Sequence, residues 1–278
     1  MVIQSFREAA RLLVRLPVLW LNGLAWGLIT GALIVLSFSS GTFLLERVGV
    51  LMIIVLPFFV GGALGVAAAG EGGMAVFFRE GLRHYFRLLL PTVIIFVGWV
   101  LTIFLLSVTL LLIGVPLDPT SLTMLLSGTL IPFLFFTFFY DCATVQEGRK
   151  VFDSIRRSIE FVVMRPWKVV AFHAVCAVFL FVIYIMLNLL WVVLLPDAMG
   201  ELVQMNQTAI MELTREEWMA LLGDGGILIT GGVISFAMTV AVTLIYAFKF
   251  TFFSRYAGEP LSAAPQGEYD EKGRWFRY

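Results

Sequence analysis

The chain has 278 residues, 60% of them apolar and only 14% charged, with 26 phenylalanines and a formal net charge of zero. A water-soluble domain carries about 45–50% apolar and about 25% charged residues, so this composition excludes a globule solvated on every side and calls for lipid around much of the surface. The neutral total gives no reason to expect a nucleic-acid partner, and the distribution of charge along the chain becomes the informative quantity.

A bilayer core about 30 Å thick needs roughly 20 helical residues to cross it. Six stretches qualify, at 17–38, 48–70, 88–115, 121–140, 169–195 and 226–248. None contains Asp, Glu, Lys or Arg, and His173 is the sole ordinary ionisable side chain within them. The third and fifth exceed the minimum, which predicts tilt or an interfacial first turn. The first is longer than a signal-peptide core and no secreted domain follows, so it is expected to persist as a span.

A six-span layout puts all but Arg47 and Arg215 of the 19 basic residues on one side. Basic residues near spans stay in the cytoplasm, so both termini are expected there, in a multi-pass protein of the cell membrane. One span more or fewer would scatter the clusters onto both faces. The expected fold is therefore all-α, a six-helix membrane domain over residues 1–256 followed by a disordered cytoplasmic tail at 257–278. That tail mixes Gly, Pro, Ser and charge without apolar period.

The basic segments resemble one another. Phe6-Arg7-Glu8 precedes Arg11, Arg15 and Pro17; Phe78-Arg79-Glu80 precedes Arg83, Arg87 and Pro91; Phe152-Asp153 precedes Arg156, Arg157, Arg165 and Pro166. Arginines four apart share one helical face, and Leu12, Leu13, Phe86 and Leu88 are expected to face lipid. The pattern predicts three helical hairpins, each led in by a basic amphipathic helix lying among the headgroups. On the other side, Thr214-Arg215-Glu216-Glu217 reads as a capping box for a short helix ending near Gly223. Asn206-Gln207-Thr208 is a weak glycosylation sequon.

Inside the spans, Gly23, Gly27 and Gly31, with Gly61 and Gly65, are candidates for close helix packing, because small residues let two backbones approach in lipid. Ser235, Thr239 and Thr243 form a polar stripe, with Asn22 and Asn188 as expected company through interhelical hydrogen bonds. A charge at mid-bilayer costs about 2.5–3.5 kcal/mol and is kept for a purpose; finding none argues against a proton pump or voltage sensor. No Gly-x-Ser-x-Gly is present, and His84, His173, Cys142 and Cys176 have no ligand spacing. Neither metal nor other cofactor is expected, and no catalytic residue is assigned.

The segment 140–168 stands out: Asp141 closes a span, Ser154 and Ser158 mark a basic helix, and Arg165-Pro166-Trp167 opens the next span. Here the chain resembles uncharacterised archaeal and bacterial polytopic proteins related to the membrane domain attached to glycerophosphoryl diester phosphodiesterases. The likeness lies in the six spans, the Asp closing the fourth and the basic Ser-containing helix before the fifth. It implies a lipid-related setting and singles out Asp141, Arg165 and Pro166. The phosphodiesterase domain is absent, so none of its chemistry carries over.

The expected function is a non-catalytic, lipid-interacting scaffold or subunit of a membrane complex. Arg7, Arg11, Arg15, Arg79, Arg83, Arg87, Arg156 and Arg157 would contact anionic lipid or a protein partner. The alternatives are a transporter or scramblase of a neutral or lipid-like solute through a glycine-lined gap, and an unrecognised enzyme of lipid metabolism. Flux in liposomes separates the first two, since a scaffold moves nothing.

Overall fold

The structure, a computed structural model, describes residues 2–39, 42–114, 118–258, 267–269 and 275–277. In chain order the helices are α1 (Val2–Arg15), α2 (Trp20–Ser39), α3 (Thr42–Ala69), α4 (Met74–Leu112), α5 (Pro119–Thr137), α6 (Tyr140–Gln146), α7 (Val151–Met164), α8 (Pro166–Leu194), α9 (Pro196–Gln204), α10 (Gln207–Glu212) and α11 (Arg215–Ala257). Six of the long segments are apolar enough to cross a membrane, giving a multi-pass, all-α membrane protein. In the tail, 267–269 and 275–277 pair as two short antiparallel strands; most of the remainder of 257–278 lies outside the described residues.

Local sequence sets the breaks between helices. Leu16 (φ −124°, ψ 75°) and Arg165 (φ −133°, ψ 48°) each precede a proline that opens the next helical segment. Proline crowds the residue before it out of the helical region, so α1 and α7 end where a span begins. At the second basic segment the chain behaves differently. α4 runs unbroken from Met74 to Leu112 with Pro91 inside it, so the basic residues there form the first turns of the span and not a separate helix. α3 packs closely on these first turns: a Cβ on Gly61 would lie 3.2 Å from the His84 Cβ, and one on Gly65 only 2.5 Å from the Glu80 Cβ.

At the opposite end, the Thr214–Glu217 capping box forms as the sequence predicts. Gly223 (φ 63°) then breaks the helical path before the chain continues into the last span. Asn206 is used locally, its Oδ1 accepting from the Ala209 N–H at 2.7 Å to cap α10.

The tightest helix pair is α2 on α11. Gly23 and Gly27 leave no room for a side chain against Thr243, Thr239 and Ser235, and a Cβ on Gly31 would stand 2.7 Å from the Gly231 carbonyl. The glycine face is thus filled by α11, and no gap runs along it. The polar stripe on α11 makes different bonds from those expected. Thr239 and Thr243 donate to carbonyls one turn back in their own helix, at 2.8 and 2.7 Å, and Asn188 does the same to Tyr184. Hydroxyls in a helix can satisfy themselves by bonding the carbonyl one turn back. Asn22 lies wholly buried, its amide unpartnered among the described residues.

One end of the bundle carries α1, the α3–α4 corner, α6, α7 and the last turns of α11, and it is packed as a phenylalanine core. Phe172 stacks on Phe248 with centroids 4.4 Å apart, and Phe139 meets Phe161 at 4.9 Å. Each such pair adds about 0.5–1.5 kcal/mol beyond area burial. α1 lays Ser5, Ala9 and Leu13 against this core, and Thr251 Oγ1 donates to the Ser5 carbonyl at 2.8 Å. Leu13 and Leu88 therefore face protein and not lipid, while Phe86 stays exposed. Away from this end, residues of α4 and α8 such as Leu101, Phe104, Phe181 and Val193 present bare apolar surface of the kind lipid covers.

Overpacking a filled contact typically costs about 1–3 kcal/mol. Gly27→Leu should lower the thermal midpoint in detergent, whereas Gly128→Leu and Gly232→Leu, at positions open to the surroundings, should leave it unchanged.

Candidate functional site

The site is assembled where α5 gives way to α6. The chain turns at Phe138–Phe139, and Ser158 of α7 holds the turn. The Ser158 hydroxyl accepts from the Phe139 N–H at 3.0 Å and donates to the Phe136 carbonyl at 2.8 Å. This places Asp141 in the first turn of α6, where unpaired backbone N–H groups favour a negative charge, and Oδ1 accepts from the Cys142 N–H at 2.7 Å.

The other carboxylate oxygen, Oδ2, takes Lys249 Nζ of α11 at 2.6 Å. Both side chains are almost sealed, 2% and 5% exposed. The ammonium also sits 4.2 Å from the Phe138 ring centroid and 4.9 Å from that of Tyr246, and aromatic faces attract a desolvated cation. In the sequence Lys249 counts only as one of the basic residues on the cytoplasmic side, just beyond the last span. In the structure α11 continues past it to Ala257 and buries it.

Two further ties hold α6 and α7 to the end of α11. Gln146 donates to the Phe250 carbonyl at 3.2 Å and accepts from Ser254 at 2.8 Å. Arg157 donates to Glu147 at 2.9 Å and to the Ala257 carbonyl at 3.1 Å. Burial pushes the Glu147 carboxyl up, but hydrogen bonds and charge from Arg157 and Arg149 outweigh it and hold the group below its usual 4.5.

The expected lipid-contact arginines divide on this geometry. Arg157 is only 17% exposed and spent on internal bonds, so it does not belong with them, whereas Arg156 is 80% exposed although paired with Glu160. Arg79 and Arg83 are exposed but lean on the buried carboxylate of Glu80. Arg7, Arg11, Arg15 and Arg87 are exposed and form no ion pair among the described residues. Arg165 is buried against the Phe161 ring at 5.3 Å, and Pro166 opens α8. The structure thus joins Asp141 to Lys249, which the sequence reading passed over. The signal available was a lone lysine continuing an apolar helical run: Lys249 is flanked by Ala247, Phe248, Phe250 and Phe253.

Removing one partner of a buried ion pair costs about 3–5 kcal/mol, because the other charge is stranded. Lys249→Met should therefore destabilise the protein in detergent more than Asp141→Leu/Lys249→Met together, as read from thermal midpoints. For Glu147, whose folded pKa is depressed, the tie is fully present above its usual 4.5 and weakens as pH falls through the lower folded value. Protection of the amides at 255–258, measured against their intrinsic exchange rate at each pH, should fall on acidification, and Arg157→Gln should remove that acid dependence.

No curated protein and no solved structure matches the chain. A family model described as "Domain of unknown function (DUF7847)" matches residues 1–258, which include the eleven α-helices among the described residues and the buried ion pair. The chain belongs to this family of uncharacterised function.

Proposed function

We propose that this is a non-catalytic protein of the cell membrane, with both termini in the cytoplasm, that holds anionic lipid on its basic face. The orientation rests on the basic residues gathered at the end bearing α1, α6 and α7, the side that stays cytoplasmic. The carrying observation is a groove of about 870 Å³ at that end, between the Leu16–Trp20 corner and the Gly72–Met74 corner. Its walls are largely apolar, including Pro17, Val18, Leu21 and Leu24, and Arg15 lies on its rim. An apolar slot beside an unpaired guanidinium at headgroup depth suits a phosphate headgroup and its acyl chain.

Exposed apolar residues accompany the unpaired arginines. Ile3 and Val14 lie on α1 with Arg7 and Arg11, and Leu82 and Phe86 lie on α4 with Arg87. Such a surface sits at the membrane boundary with cations toward the charged leaflet. The likeness to the membrane domain of glycerophosphoryl diester phosphodiesterases supports the same lipid setting. The role is that of a scaffold or a subunit of a membrane complex: the filled α2–α11 contact leaves the glycine face no path for a solute.

A basic residue near an anionic surface contributes about 1 kcal/mol, or about fivefold in affinity. In nanodiscs of mixed neutral and anionic phospholipid, Arg15→Gln should release retained anionic lipid about fivefold more readily by native mass spectrometry, with Arg11→Gln adding to it. Retention unchanged in both variants, or flux of lipid across protein-containing liposomes, would contradict the proposal.

A further inference from the structure

A second cavity, of about 320 Å³, lies within the membrane-spanning part between α2, α3, α4, α6 and α11. Along α3 its lining runs from Gly49 to Val60, roughly 16 Å at 1.5 Å per residue, so it is long and narrow. Most of the wall is aliphatic. Its polar groups come from Trp26, Thr92, Tyr140 and Tyr246. The Thr92 hydroxyl donates to the Leu88 carbonyl at 2.7 Å, so the Tyr140 hydroxyl, 2.7 Å from Thr92, is the donor in their bond. That leaves the Tyr140 oxygen free to accept. The indole N–H of Trp26 is shut from solvent and has no acceptor among the described residues, although a buried donor ordinarily finds one.

We propose that this cavity binds a neutral single-chain lipid: its alkyl or prenyl chain along α3 and an uncharged oxygen head accepting from Trp26. The dimensions fit a small-molecule site. The absence of charge from the lining fixes the class. Asp141 and Lys249, beside the lining residue Tyr140 and near Tyr246, are spent on each other at 2.6 Å, and a charged head among the aliphatic lining would be stranded. Tyr140 adds an acceptor for a head that is a hydroxyl. This site is separate from the headgroup groove at Arg15, with no lining residue in common.

The test is photolabelling of the full chain in phosphatidylcholine nanodiscs with a diazirine-bearing long-chain alcohol, with adducts mapped by mass spectrometry. Adducts should concentrate at 49–60 and at Trp26 in the unmodified protein. Trp26→Phe should cut them about fivefold, the worth of one ordinary hydrogen bond. Gly49→Leu, at a position open to free space, should fill the slot and abolish them, while Arg15→Gln should change nothing. The corresponding carboxylate, tested ionised, should label about a hundredfold less. Adducts spread evenly over the bare faces of α4 and α8, equal labelling by the carboxylate, or labelling indifferent to both cavity variants would each overturn the proposal.

Discussion

The ion pair between Asp141 and Lys249 joins residues 108 positions apart in a region where neither charge has water to fall back on. A separated carboxylate and ammonium in apolar surroundings each carry a desolvation penalty of several kcal/mol. Their contact, the Cys142 N–H and the two aromatic faces make burial tolerable only while α6 and α11 keep their places. The pair therefore acts less as a source of net stability than as a condition on geometry: other registers of α6 against α11 strand a charge. The phenylalanine core beside it contributes burial and ring contacts, and the charges add a penalty for any other register.

From that fixed point the molecule has two mechanical halves. The basic end is tied by Ser158 across the α5–α6 turn, by Gln146 to Phe250 and Ser254, and by Arg157 to the end of α11. Away from it α4 and α8 carry bare apolar surface, and hydrocarbon takes the place of protein neighbours. Charges follow the same division. Those whose partners are internal, Arg157 and Lys249, build the scaffold, while Arg7, Arg11, Arg15 and Arg87 remain available at the surface. The lipid-binding proposal rests on this remainder.

Much of the fold was legible in the sequence because a membrane imposes coarse rules. Six charge-free apolar runs announce six spans, and prolines at positions 17 and 166 announce the breaks after α1 and α7. Thr214 and Glu217 announce their own capping box. The unbroken α4 was not legible, because its basic first turns resemble the separate helix α1 until Gly61 and Gly65 of α3 are seen to pack against them. The site was half legible: Asp141 drew attention through its place at a span end, whereas Lys249 stood only among the basic residues beyond the last span. Window-based reading stops a span where the apolar run meets its first charge, so both members of the pair fell just outside their spans. Pairing across 108 residues leaves no local trace. The cavity was invisible for a related reason, since its wall draws single residues from five helices.

The distance between Lys249 Nζ and the Asp141 carboxylate, measured by solid-state NMR on isotope-labelled protein in lipid bilayers, tests the account most directly. Strong carbon–nitrogen dipolar coupling between the two groups, with the Lys249 ammonium shielded from water protons, is the predicted result. A hydrated Lys249 with no coupling to Asp141 would contradict it.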